Sequence, residues 1–283
     1  MATKKIFLTF SDSRMFKTAD RLEKQAQRLN IYDRVLITNE TYLNSSFREH
    51  FDSKLALGSR GYGYWCWKPQ IILQTLSEMD DDDILQYTDT GCHLNERGIN
   101  RLLAYFEMTL KEDSGLLGFQ FKNPEPPLDF NVRLFPVWND SMWTKGDLLD
   151  YFNVRENDLI VNTPMISATV IFIRKCPKSI KLIQSWLDTF SSNFELLDDT
   201  PSKSRNLNGF IEHRHDQSIF SILAKLNGIK TVSAWEFDSP SPTSADWSLL
   251  ELFPIHAKRE HKLSIITRAK RYFRLLWRRC RKR

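Results

Sequence analysis

The order of the apolar segments is the feature that most constrains the fold of this chain. Short β-rich runs alternate along the sequence with amphipathic segments of helical period. Strands are predicted over 5–10, 34–38, 83–88, 116–121 and 166–174, and helices over 16–29, 69–79, 99–110, 177–190 and 216–226. Strands that alternate with helices at this spacing indicate an α/β fold with a mostly parallel central sheet.

Composition excludes several other classes of protein. With 283 residues, 41% apolar and 27% charged, the chain can bury a sizeable core and is neither disordered nor collagen-like. No apolar run approaches the roughly 18 to 20 residues that span a bilayer, and the apolar start is too short for a signal peptide, so we expect a cytosolic protein. The cysteines lack the spacing of a zinc or disulfide framework and are expected to be reduced thiols, at Cys66, Cys92, Cys176 and Cys280.

The positive charge is concentrated at the C-terminus. From Lys258 onward there are twelve Lys and Arg residues against one acid, while residues 1–257 carry 28 basic and 34 acidic residues. Apolar residues in 262–283 recur at helical spacing among these arginines, which is typical of an interfacial helix. We therefore divide the chain into a catalytic body, 1–257, and a basic amphipathic, membrane-associating tail, 258–283. A helix packed on the body is the alternative.

Local patterns predict several connecting segments. The run Ser11-Asp-Ser13 supplies cap residues for the first helix, and Asp80–Asp83 is expected to be a solvated loop. The proline-rich stretch 122–139 and the Ser/Pro run 239–244 are expected to be loops that carry substrate contacts.

Asp89 is the strongest single candidate for a functional residue. It follows an apolar strand directly, and open α/β sheets bind ligands at the carboxyl ends of their strands. Gly91 allows a ligand to approach the backbone closely. A turn or cap residue is the competing interpretation of Asp89.

The segment Arg60-Gly-Tyr-Gly-Tyr-Trp-Cys-Trp-Lys-Pro69 matches neither a strand nor an amphipathic helix. Its aromatic rings offer stacking faces for a base or a sugar, and Arg60 and Lys68 could neutralise phosphate. A packed aromatic corner is the alternative. Pro69 is placed in the first turn of the following helix.

Two later segments also carry chemistry. Asp216 either caps its helix or serves the site, whereas His213 and His215 are two residues apart and make a poor zinc pair. His256 precedes Lys258 and Arg259, so a metal and a diphosphate are candidate ligands there. A solvent-exposed histidine without a ligand is the alternative.

Taken in their order along the chain, these motifs resemble those of the GT-A glycosyltransferases, and most closely those of the enzymes of bacterial surface-polysaccharide (lipopolysaccharide or capsule) synthesis. The resemblance rests on a first strand ending in Thr9-Phe-Ser11, the Gly-Tyr-Gly-Tyr-Trp-x-Trp-Lys-Pro segment, the Asp89-x-Gly-Cys turn and the late histidine, and it runs over residues 5–259. It implies a single GT-A (Rossmann-like) domain that transfers a hexosyl or related sugar from a nucleotide-diphospho-sugar to a glycan or lipid-linked acceptor. It also implies a location on the inner face of the plasma membrane.

The resemblance also implies roles for individual residues. Asp89 and Asp216 are the expected catalytic residues, and small residues at 167–169 are expected to leave room for the donor sugar. The expected donor contacts are Thr9, Ser11, Arg60, Tyr64, Trp65, Lys68, Asp89, Gly91, Ser167, Lys258 and Arg259.

A divalent cation, Mn²⁺ or Mg²⁺, is implied at Asp89 and His256. The second acid of the usual D-x-D motif is Gly91 here, so Asp89 lacks its customary partner and metal dependence stays open. His93 shares a face with Asp89 only if no turn intervenes.

Two other functions compete. Asp89-Thr-Gly91 spells the triplet of aspartic proteases, but those enzymes need two such loops in a largely β fold, and one copy stands here in an α/β pattern. A non-catalytic module that binds a membrane surface or nucleic acid through the basic tail is the other alternative. Without a recognised nucleic-acid-binding motif we expect no nucleic-acid partner.

Overall fold

Six strands form the central sheet. The computed structural model describes residues 3–124, 134–239 and 249–258. The strands of this sheet are β1 (Lys5–Phe10), β2 (Arg34–Thr38), β3 (Ile84–Thr88), β5 (Leu116–Gln120), β6 (Ile166–Arg174) and β7 (Lys230–Ser233). They lie side by side in the order β2-β1-β3-β6-β5-β7. The strands β4 (His93–Leu94) and β8 (Ile255–His256) form a separate two-stranded sheet.

Three of the five strand pairs in the central sheet are parallel. Strand β1 pairs in parallel with both β2 and β3, and β5 pairs in parallel with β7. Strand β6 runs antiparallel between β3 and β5. The prediction of an α/β fold with a mostly parallel sheet is therefore confirmed, and β6 is the strand that reverses direction.

Helices cover both faces of this sheet. They are α1 (Phe16–Leu29), α2 (Ser45–His50), α3 (Gly61–Tyr64), α4 (Trp67–Ser77), α5 (Ile99–Lys111), α6 (Asp140–Trp143), α7 (Gly146–Tyr151), α8 (Asp158–Val161), α9 (Pro177–Ser192) and α10 (Asp216–Leu226). Pro69 lies in the first turn of α4, as predicted.

The sheet separates two apolar cores because successive strand residues point to opposite faces. Leu8 belongs to the core that α4, α9 and α10 cover, whereas its neighbour Phe7 belongs to the core that α1 and α5 cover. Trp186 of α9 is completely buried in the first core, and Tyr105 of α5 is completely buried in the second. Burying one such large side chain contributes about 1.5–3 kcal/mol.

Two segments that were predicted from local patterns differ in part in the structure. Asp80, Asp81 and Asp82 are exposed as predicted, but Asp83 is buried. Its carboxylate accepts hydrogen bonds from the backbone N–H groups of Lys4 (2.8 Å) and Asp80 (3.1 Å). The predicted cap residues at 11–13 do not cap α1, which begins only after a 3-10 turn over Ser13–Met15. The Asp12 carboxylate pairs with the Arg14 guanidinium instead.

The cap predicted at Asp216 is also placed differently. His215 is the N-cap residue of α10, so Asp216 is the first residue inside the helix. Its carboxylate contacts the lysine ammonium of Lys68 at 2.6 Å.

Helices long and apolar enough to cross a bilayer are absent from the part of the chain that the structure describes. The predicted tail helix at 262–283 and most of the two predicted loops lie outside the described residues.

The aromatic segment before α4, which contains α3, is a short left-handed helical turn. Five consecutive residues have positive φ: Gly61 (58°), Tyr62 (51°), Gly63 (85°), Tyr64 (54°) and Trp65 (62°). The turn is closed by two hydrogen bonds of helical spacing, from the backbone N–H of residue 64 to the carbonyl of Arg60 (2.7 Å) and from that of residue 65 to the carbonyl of residue 61 (3.1 Å).

This conformation is costly for residues that have a Cβ atom. Each L-residue other than glycine loses about 1–2 kcal/mol in the left-handed region, so Tyr62, Tyr64 and Trp65 are all strained. Glycine at residue 61 avoids this cost and also avoids a clash, because a Cβ atom there would lie 2.4 Å from the Trp65 ring. The indole N–H of Trp67 donates to the carbonyl of Gly61 (2.9 Å) and ties the turn to α4.

We predict that Gly61→Ala destabilises the protein more than Gly228→Ala does. The two glycines have nearly the same φ, 58° and 57°. A Cβ atom at residue 61 would lie 2.4 Å from the Trp65 ring, whereas one at residue 228 would meet no atom within 4 Å. Gly228→Ala should therefore lower the free energy of unfolding by about 1 kcal/mol, and Gly61→Ala by clearly more. Urea unfolding measures the free energy of unfolding of both variants. Equal losses of this free energy would show that the position of the Trp65 ring does not require glycine at residue 61.

Candidate functional site

A cavity of about 530 Å³ opens where β1 and β3 end. Phe10, the last residue of β1, lines it together with Ser11 and Asp12, which follow that strand, and Asp89 lines it after β3. Its position matches the general rule that open α/β sheets bind ligands at the carboxyl ends of their strands. Its aromatic lining consists of Phe10, Tyr62, Trp65, Trp67, Phe121, Trp138 and Trp143.

A buried lysine joins two aspartates at this cavity. The side chain of Lys68 is only 3% exposed, and its ammonium lies 2.6 Å from Oδ2 of Asp216 and 3.4 Å from Oδ1 of Asp89. It also donates a hydrogen bond to the carbonyl of Ala168 in β6 (3.1 Å). An ammonium has three N–H donors, and two of them form hydrogen bonds here, to Asp216 and to Ala168, while Asp89 is an ion-pair partner at the longer distance.

The protonation of this group follows from burial and charge. Burial lowers the pKa of Lys68, but the charges of Asp216 and Asp89 more than offset it, and the pKa lies above its ordinary value. Burial raises the pKa of Asp216 to about 6, although the Lys68 charge opposes the rise. At neutral pH the group is therefore one ammonium held between carboxylates.

Three hydrogen bonds hold Asp89 in place. Its backbone N–H donates to the carbonyl of Thr169 (2.9 Å), and its carbonyl accepts from the N–H of Cys92 (2.9 Å), which closes a turn. The hydroxyl of Tyr87, a fully buried residue, donates to Oδ1 of Asp89 (2.6 Å). The Asp89 side chain remains 32% exposed, so this carboxylate reaches the cavity, whereas the Asp216 side chain is only 7% exposed.

The left-handed turn decides which aromatic rings reach the cavity. Tyr62, Trp65 and Trp67 line it, and Trp67 stacks on Phe10 with 3.9 Å between ring centroids. Tyr64 points elsewhere and packs against Phe194 and His215. All the aromatic rings of this segment were predicted to offer stacking faces, but Tyr64 was expected as a donor contact whereas Tyr62 and Trp67 were not.

Three arginines line the cavity, each beside a carboxylate. Arg14 pairs with the nearly buried Asp12 through Nε (3.2 Å) and Nη2 (2.6 Å), and this pairing lowers the pKa of Asp12. Arg60 pairs with Asp199 at 3.1 Å, and Arg214 pairs with Glu212 at 3.1 Å. The side chains of Arg14 and Arg60 are about half exposed, so these two guanidinium groups remain accessible to a ligand. From the sequence, Asp12 was expected only as a cap residue and Arg14 was assigned no role, although their place directly after β1 is a usable signal.

The structure brings most, but not all, of the sequence-predicted residues together. Thr9 is fully buried within β1, and Ser167 is fully buried with its hydroxyl accepting from the N–H of Thr169 (3.1 Å). Lys258 does not line the cavity, and Arg259 lies outside the described residues. The predicted residues that do line the cavity are Ser11, Arg60, Trp65, Lys68, Asp89, Gly91 and Asp216.

The two histidines considered for a metal site lie in the small sheet. His93 of β4 faces His256 of β8, and the turn that begins at Asp89 separates His93 from that carboxylate. His93 contacts the Arg21 guanidinium (2.6 Å), and burial together with that charge lowers its pKa to about 4. His256 is buried, and its Nε2 donates to the carbonyl of Leu250 (2.8 Å).

The described residues do not fit a Mn²⁺ or Mg²⁺ ion at Asp89. Within 3–124, 134–239 and 249–258, no three His, Cys, Asp or Glu side chains are grouped so that they could hold a metal. The Asp89 oxygen Oδ1 already meets the Tyr87 hydroxyl and the Lys68 ammonium, so a divalent cation there would face a like charge.

Comparison with known proteins gives matches of structure only. No protein-family model and no curated protein sequence matches the chain. Mouse xyloside xylosyltransferase 1 is similar in structure at 10% identity, with 89% of this chain and 84% of that chain covered and a TM-score of 0.45.

Two further solved structures are similar over most of this chain. A glycosyltransferase involved in the glycosylation of the major capsid of PBCV-1 has 9% identity, with coverage of 89% of this chain and 92% of that chain and a TM-score of 0.45. The bifunctional glycosyltransferase WbbM has 10% identity, with coverage of 92% and 46% and a TM-score of 0.47. All three are sugar transferases by name.

Proposed function

We propose that this protein is a glycosyltransferase that uses a nucleotide-diphospho-sugar as its donor. One observation carries the proposal: Asp89 and Asp216, which come from different elements of the fold, meet at Lys68 in one aromatic-lined cavity at the carboxyl ends of β1 and β3. The motifs that resemble GT-A glycosyltransferases supply several of the residues around this cavity, including Ser11, Arg60 and Trp65.

The cavity has groups suited to each part of such a donor. The faces of Tyr62 and Trp65 suit stacking with a base or a sugar. The planar guanidinium groups of Arg14 and Arg60 suit the paired oxygens of a diphosphate. Carboxylates suit the positive charge that develops on a sugar as it leaves its diphosphate.

In the proposed reaction, the anomeric carbon of the sugar exchanges one oxygen for another. The bond between the anomeric carbon and the diphosphate oxygen breaks, and a bond from that carbon to the acceptor oxygen forms. The acceptor hydroxyl loses its proton, and Asp89 is the better-placed base because its carboxylate is 32% exposed in the cavity. Arg14 and Arg60 stabilise the negative charge that stays on the leaving diphosphate.

The basic tail suggests that the protein meets its acceptor at a membrane surface. We assign residues 1–257 to the catalytic domain and 258–283 to a tail that binds the anionic inner surface of the plasma membrane, since each basic residue near such a surface adds about 1 kcal/mol. A glycan on a lipid carrier in surface-polysaccharide synthesis, with a hexose or related sugar transferred, is the substrate pair that such a location favours.

We predict that one class of nucleotide-sugar raises the melting temperature of the protein. A ligand that binds only the folded state stabilises it. Thermal-shift measurements with UDP-, GDP-, CMP- and dTDP-sugars should give a clear rise for one nucleotide and no rise for the others. The absence of any rise would contradict the proposed donor class.

Asp89→Asn tests the catalytic assignment with the donor so identified. The variant should lose sugar transfer while its melting temperature stays close to that of the parent, because the Asp89 side chain is partly exposed. Full transfer activity in this variant would remove Asp89 from the mechanism.

We also predict that truncation after His261 abolishes binding to anionic vesicles. The remaining chain keeps the whole cavity, so donor binding in the thermal-shift measurement should be unchanged. Sedimentation with anionic and with neutral vesicles measures the effect, the neutral vesicles serving as the control. Equal sedimentation of the full and truncated chains with anionic vesicles would end the membrane assignment.

A further inference from the structure

We infer that the ammonium of Lys68 is the permanent cation of this site and replaces a divalent metal ion, so that sugar transfer proceeds without Mn²⁺ or Mg²⁺. This inference rests on the proposed function for the reaction it describes. Its structural part, the occupation of a cation position by a lysine, can be tested on the protein alone.

The surroundings of Lys68 resemble those of a bound metal ion. Three oxygens from separate elements surround one nitrogen: Oδ2 of Asp216 at 2.6 Å, the carbonyl of Ala168 at 3.1 Å and Oδ1 of Asp89 at 3.4 Å. Carboxylate and carbonyl oxygens are the ligands that hard divalent cations take in proteins. The lysine therefore occupies a set of oxygens that could otherwise hold such an ion.

The fold holds Lys68 in this position firmly. Lys68 lies in the first turn of α4, directly after the left-handed turn, and its side chain is 3% exposed. Trp67, its neighbour, is fixed on one side by the hydrogen bond to Gly61 and on the other by stacking on Phe10. A charge that is so enclosed cannot leave the carboxylates to make room for a metal ion.

The carboxylates depend on this cation in turn. Asp216 is nearly buried, and a buried carboxylate requires a partner of opposite charge. Lys68 thus acts as a positioning residue: it holds Asp89 at the cavity by its charge, while the accessible cations Arg14 and Arg60 remain for the diphosphate.

The first experiment uses Mn²⁺ alone. Wild-type protein should show no Mn²⁺-dependent rise in melting temperature and no bound Mn²⁺ by electron paramagnetic resonance. Lys68→Ala should gain both, because it leaves two carboxylates and a carbonyl facing an empty position next to the cavity. The matched control is Lys225→Ala, which removes another buried lysine but leaves a single carboxylate, that of Asp140.

Two outcomes of this experiment overturn the inference. One is Mn²⁺ binding by the wild-type protein that Asp89→Asn abolishes, and this result stands even if Lys68→Ala does not fold. The other is an equal gain of Mn²⁺ binding in Lys68→Ala and Lys225→Ala, which would show that the gain is unspecific.

The second experiment separates this inference from the proposed function. Thermal shifts are measured with UDP, GDP, CMP and dTDP, each with EDTA or with Mn²⁺. The inference predicts that the stabilising nucleotide acts equally in both conditions. Stabilisation that requires Mn²⁺ overturns the inference and leaves the glycosyltransferase proposal intact, whereas no stabilisation by any nucleotide contradicts the proposed donor class and leaves the Mn²⁺ experiment to decide the role of Lys68.

Discussion

The buried contact of Lys68 with two aspartates is the interaction on which the rest of the site depends. Moving an ammonium and a carboxylate out of water is costly, and the cost is offset only when every donor and acceptor finds a partner. Here Lys68 comes from α4, Asp89 follows β3, Asp216 begins α10 and the Ala168 carbonyl belongs to β6. One ammonium therefore fixes four elements of the fold relative to one another, at the point where the cavity opens.

The two carboxylates differ although they share a partner. Asp216 is enclosed, with its pKa raised to about 6 by burial, whereas Asp89 is partly exposed and accepts a hydrogen bond from Tyr87. Pairs of carboxylates in unequal surroundings are typical of sites where one group meets the substrate and the other supports it. The left-handed turn completes the arrangement, because it places Trp65 and Trp67 on the cavity and positions α4 so that Lys68 points inward.

The sequence predicted those parts of the molecule that depend on local period and strand order. The α/β fold class and the position of Asp89 at a strand end follow from such patterns. Other features depend on contacts between residues that are far apart in the sequence, so no local pattern predicts them. The Asp83 carboxylate accepts a hydrogen bond from the backbone N–H of Lys4, and the Asp216 carboxylate contacts Lys68, which is 148 residues away in the chain. The left-handed turn escaped prediction because helical periodicity assumes negative φ, and three strained aromatic residues are tolerated only where tertiary packing fixes them.

A double-mutant cycle on Lys68 and Asp216 tests the central claim most directly. Lys68→Met and Asp216→Leu should each lower the free energy of unfolding by about 3–5 kcal/mol. The first leaves the buried Asp216 charge without its cation, and the second leaves the Lys68 ammonium with only the more distant Asp89 carboxylate. The double variant removes both charges, so we predict a loss well below the sum of the two single losses. Losses that add to within about 0.5 kcal/mol would show that the two residues act independently and would contradict the account.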